Sequence, residues 1–94
     1  MEELKHLMHL YDEALEELMG AQTYAKKYAH SKNAEERNMF RTMSKQELEH
    51  ASMLIRYGDK RIDSPNATES LTYIWSYLKQ HVEDWRRTIE QMLA

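Results

Sequence analysis

His30-Ser31-Lys32-Asn33-Ala34-Glu35-Glu36 interrupts an otherwise continuous helical pattern. Asn33 followed three residues later by Glu36 reads as a capping box, in which a side-chain oxygen satisfies a backbone N–H that the new helix leaves open. Upstream of this break, helical periodicity runs from about Glu2 to His30. Downstream it runs from Ala34 to about Tyr57, where Gly58 reads as a natural C-terminal stop. So short a break, Ser31 to Asn33, makes the two helices antiparallel neighbours. Asp59 to Asn66 reads as a loop, and Ser64-Pro65 suits an N-cap followed by proline at the first helical position. Asn66-Ala67-Thr68 matches a glycosylation sequon but reads here as a turn. The expectation is therefore all-α: one domain over residues 1–94, with helices at about 2–30, 34–57 and 67–92.

Composition agrees with that reading and narrows the function. Two glycines and one proline in 94 residues favour helix. The chain has no cysteine, which excludes a disulfide framework, a thiolate nucleophile and a cysteine-ligated zinc or iron site. A net charge of −3 gives no electrostatic reason to expect nucleic acid. The cation pairs Lys26-Lys27, Lys60-Arg61 and Arg86-Arg87 are scattered and read as solvated faces. No apolar run follows Met1-Glu2-Glu3-Leu4-Lys5 to make a signal peptide, and no segment reads as a membrane span, so a cytoplasmic location is expected.

The apolar seams carry the chemistry. The first helix places Leu7, Leu10, Ala14, Glu17, Ala21, Tyr24 and Tyr28 at alternating three- and four-residue steps, with Leu4, Met8, Tyr11, Leu15, Leu18 and Ala25 in a row beside them. The second places Phe40, Met43, Glu47, His50, Leu54 and Tyr57 on one stripe. The third reads Leu71, Trp75, Leu78, Val82, Trp85, Ile89 and Met92, apolar throughout. Ligand-type residues thus interrupt two seams, and each at one level. Glu17 precedes Lys32 by fifteen residues and Glu47 follows it by fifteen, so both sit ~22 Å from the turn and face each other. His50 lies less than one turn beyond Glu47.

An unpaired carboxylate in a helix seam costs several kcal/mol, and a divalent cation is the compensator that suits two carboxylates and an imidazole. Iron, manganese and zinc all accept this donor set. Four-helix di-iron sites take one glutamate from each of two helices and a Glu-x-x-His pair from each of the other two. Glu17 and Glu47-Leu48-Glu49-His50 are one of each, half of such a site. A two-fold dimer supplies the other half, because symmetry repeats the same residues across the axis. Glu-x-x-His also arises by chance in glutamate-rich helices. The plainer alternatives are a non-redox metal site and a purely structural helical adaptor, in which Glu17 pairs with His50 across an oligomer interface and sets its register. Tyr24, two turns past Glu17, is a candidate to hydrogen-bond a ligand or carry an electron, or else an aromatic packing residue. His6 and His9 read as an exposed pair, and Glu13 and Glu16 as a solvated face.

Glu17-x-x-x-Ala21-x-x-Tyr24 together with Glu47-Leu48-Glu49-His50-Ala51 resembles the ferritin-like superfamily, and encapsulated ferritins more than rubrerythrins. The likeness covers roughly Asp12 to Tyr57. It implies a half-ferritin chain whose dimerisation completes a four-helix bundle and builds a di-iron ferroxidase centre between subunits. On that resemblance Glu17, Glu47 and His50 are the iron ligands, Tyr24 lies in the shell behind them, and the chain forms a dimer or a ring of dimers. An encapsulin shell would be a further partner, although Ile89-Glu90-Gln91-Met92-Leu93-Ala94 does not resemble the peptide that targets cargo to such shells. Met19 stands where that family often carries an acidic residue.

Overall fold

The computed structural model describes residues 2–65 and 67–94. They form three helices, α1 Glu2–His30, α2 Ala34–Ile62 and α3 Glu69–Met92, with no strand among the described residues. The molecule is a rod, 51 × 16 × 16 Å. Helices α1 and α2 form the expected antiparallel hairpin. Helix α3 returns alongside, antiparallel to α2: Asp59 meets Lys79 near one end of the shared length, and Arg41 donates to the Leu93 carbonyl near the other.

The caps show where local chemistry ruled and where packing did. The Asn33 side chain accepts from the Glu36 N–H at 2.9 Å, as the capping pattern predicts. Helix α2, however, does not stop at Gly58 but continues to Ile62. No glycine among the described residues has positive φ, so Gly58 is not there to turn the chain. It is there for space: a Cβ at Gly58 would overlap the Trp75 indole. The indole Nε1 then donates to Asp59 Oδ1 at 2.9 Å, and Lys79 Nζ reaches both oxygens of that carboxylate at 3.1 Å. Burial of a large aromatic surface outweighs the weak stop signal of one glycine. The start of α3 also differs from expectation. Thr68, not Ser64, is its N-cap, accepting from the Leu71 N–H at 3.1 Å. The turn expected at Asn66 lies outside the described residues.

The core is made by Leu7, Leu10, Ala14, Leu18, Ala21 and Ala25 of α1, with Leu48, Ala51 and Ile55 of α2 and Leu71, Trp75, Val82 and Ile89 of α3. The third seam is as expected, with Leu78, Trp85 and Met92 packed at its margins. The second is corrected by one residue. Its buried positions are Ser44, Leu48, Ala51, Ile55 and Gly58, whereas Met43, Glu47, His50, Leu54 and Tyr57 are half-buried or exposed. One residue is a rotation of about 100°. The stripe that carries Glu47 and His50 is therefore not the hydrophobic centre of the chain. Glu17, Tyr24 and Tyr28 are likewise half-buried, at the edge of the α1 seam. Small residues at Ser44, Ala51 and Gly58 let α2 turn inward there, and that displaces the bulkier row onto the outer flank of the hairpin.

Candidate metal centre

The level matching of Glu17 and Glu47 survives this rotation, because it depends on distance along the helices and not on angle. Glu17, Glu47 and His50 each offer a donor atom within 4.8 Å of the others, and they are the group of this kind found among the described residues. They lie on the flank of α1 and α2 away from α3. The His50 side chain is 53% exposed and that of Glu17 30%, so the group is open to solvent and not sealed.

Electrostatically the group is unfinished. Glu17 Oε2 is buried and has no hydrogen-bond partner among the described residues. The nearest cationic candidate, His50 Nδ1, stands 3.4 Å away, too long for a strong charge-assisted bond. Glu47 has its carboxyl pKa raised above the ordinary value of 4.5, first by hydrogen bonding to Glu17, then by burial and by the Glu17 charge, with His50 opposing. Two carboxylates this close are stable either by sharing a proton or by sharing a cation. The donor set, two oxygens and one imidazole nitrogen with one oxygen orphaned, fits a divalent ion of the iron, manganese or zinc kind.

Two contacts fix the group's height and depth. Ser44, the one buried polar residue among those described, donates from Oγ to the Ala21 carbonyl at 2.7 Å and ties α2 to α1 one turn before Glu47. Gly20 leaves bare backbone under the Glu47 carboxylate, and an added Cβ would come within 3.0 Å of Glu47 Oε2. A glycine inside a helix costs about 1 kcal/mol relative to alanine. The apolar seams read from the sequence do not include Ser44; the signal for it is the small-residue row Ser44, Ala51 and Gly58, one position after the stripe of Met43, Glu47, His50, Leu54 and Tyr57.

The remaining candidates fall elsewhere. Tyr24 stands two turns from Glu17, with its ring stacked on Phe40 at 6.4 Å and Lys27 Nζ 5.8 Å from its centroid. Among the described residues, no hydrogen bond joins its hydroxyl to Glu17, Glu47 or His50. His9 Nε2 pairs with Glu13 Oε1 at 2.7 Å on the surface, and His6 packs on the Tyr57 ring at 6.0 Å, so the two histidines do not act together. Among the described residues no helix is long and apolar enough to cross a membrane. Compared with known proteins, the chain matches no family model, no curated protein and no solved structure. The likeness to ferritin-like proteins accordingly rests on the residues quoted above.

Proposed function

We propose that this chain binds Fe(II) and oxidises it to Fe(III) at a di-iron centre formed between two copies of itself. The observation that carries the proposal is the orphaned Glu17 oxygen within a convergent Glu17, Glu47 and His50 set. A second feature supports the dimer. The flank around the ligands presents Phe40, Met43 and Leu54 half-buried, with Met39, Met53 and Tyr57 exposed. Apolar side chains beside incompletely coordinated ligands suit a surface that another copy covers.

In the dimer, Glu17, Glu47 and His50 of both copies would hold the two ions. Oxidation would take one electron from each of two ferrous ions and pass the pair, with two protons from solvent, to dioxygen to give hydrogen peroxide, or to hydrogen peroxide to give two waters. Carboxylate donors favour the harder, more highly charged ferric product. The half-open position of His50 leaves a path for oxidant, and the methionine and aromatic rim excludes bulk water once a partner is in place.

The test is aerobic Fe(II) oxidation followed by ultraviolet absorbance, together with native mass and metal content. Glu47→Ala and His50→Ala are each expected to abolish oxidation, and full activity in both would overturn the proposal. Metal retained at two ions per dimer without oxidation would instead leave a structural metal site. No metal and an unchanged oligomer would leave a helical adaptor.

A further inference from the structure

We propose that Gly20 is a positioning residue of this metal site: its bare backbone is the seat on which the Glu47 carboxylate lies. The inference rests on Glu47 being a ligand, as proposed above. Glycine at a helix interior runs against propensity, and this chain has two such positions, Gly20 and Gly58. Gly58 has its explanation in the Trp75 ring that occupies the space of a side chain. Gly20 has an equivalent occupant. The nearest atoms to a Cβ built there all belong to one side chain: Glu47 Oε2 at 3.0 Å, Cδ at 3.6 Å and Cγ at 3.8 Å.

The helices cannot separate to relieve such a contact. Next to Gly20, the Ala21 carbonyl is held by Ser44 Oγ at 2.7 Å in a fully buried bond. Ala14, Ala21 and Ala25 of α1 have no exposed surface, so the helix is already closely packed along this stretch. What must yield to a methyl group at position 20 is the Glu47 side chain. Its carboxylate would move away from α1, and so away from Glu17 on that same helix. The present spacing brings the three donor atoms within 4.8 Å, a span one ion can bridge. Gly20 therefore sets how far Glu47 reaches across the seam, without itself touching the ion.

Gly20→Ala separates this role from a folding role, because the two predict opposite signs. The metal-free full-length variant is expected to melt at the wild-type temperature or up to about 5 °C higher, since alanine is the better helix former. Its affinity for Co(II), used as a spectroscopic probe, is expected to fall about tenfold, in the range seen when a supporting residue is lost, with a shifted visible band. Glu47→Asp shortens the carboxylate arm, and in that background Gly20→Ala should cost markedly less. Unchanged Co(II) affinity and spectrum in Gly20→Ala would overturn the proposal, as would an equal loss in both backgrounds. Glu47→Ala is measured alongside. If it alone loses Co(II), the positioning role falls and the metal site stands. If it binds Co(II) like wild type, both fall.

Discussion

The two outer sides of α1 make a useful contrast. Towards α3, the polar groups find partners within the chain: Tyr11 Oη with His81 Nδ1 at 2.7 Å, and Trp85 Nε1 with Gln22 Oε1 at 2.6 Å. Beyond them, Trp75 and Lys79 converge on Asp59. Towards the outer flank of α2, Glu17 Oε2 is orphaned, Glu47 lies against another carboxylate, and His50 is half in water. The first side is complete in one molecule. The second leaves a buried carboxylate oxygen without a hydrogen bond. A buried polar atom left without a partner costs about 1–3 kcal/mol, more when charged, so a region that keeps one is a region to test for a ligand.

That contrast can be broken in order of expected effect. Removing a ligand should act on the open side alone: Glu17→Ala is expected to weaken Fe(II) or Co(II) binding at least ~100-fold, the upper range for loss of a metal-supporting group. Anaerobic titration reads it, and the metal-free melting temperature should not fall. On the closed side, Gly58→Ala forces a methyl into the Trp75 ring and should destabilise by about 2 kcal/mol, as overpacking does. Urea unfolding of the metal-free chain measures that, and the intrinsic metal affinity of the folded fraction should stay unchanged. Saturating metal, at ~100 times its dissociation constant, should raise the stability of the wild-type chain by about 2.7 kcal/mol, and chelator should reverse it. Glu17→Ala should abolish this gain, while Gly58→Ala should keep it.

Ser44→Ala lies between the two sides. It removes one buried hydrogen bond and should cost about 1 kcal/mol in urea unfolding. The smallest effect is with pH. The folded chain holds the Glu47 proton more tightly than the unfolded chain does, because Glu17 and burial raise its pKa. From the ordinary value of 4.5 upward through the raised one, the unfolded state binds fewer protons, so this group makes the metal-free chain less stable as pH rises. Thermal melts across that window should show the decline, and Glu47→Gln should flatten it.

How much of this was legible depends on which coordinate is asked for. Position along the helices was readable: fifteen residues on either side of Lys32, at constant rise, bring Glu17 and Glu47 to one level whatever the side chains do. Rotation about the helix axis was misread. The row of Met43, Glu47, His50, Leu54 and Tyr57 carries the larger side chains, whereas the row of Ser44, Leu48, Ala51, Ile55 and Gly58 one step after it is the more hydrophobic and holds three small residues. Bulk alone favours the first row. Close packing of two long helices rewards the smaller one, and that information sits in side-chain volume. The end of α2 was misjudged for a related reason, since the meaning of Gly58 depends on Trp75, seventeen residues away.

The position of Glu17, Glu47 and His50 along the rod has a geometric consequence. Helices α1 and α2 are each 29 residues long, and Glu17 and Glu47 fall within one residue of their midpoints. A two-fold axis drawn through the site and perpendicular to the rod would carry one molecule onto another with the ends flush. Full overlap uses the whole 51 × 16 Å flank, about 800 Å² on each side, which is the usual size of a stable protein contact. A site near either end would have left each rod half uncovered and free to recruit a third molecule. Central placement would make such a pair self-limiting, and growth beyond two would have to use a different surface.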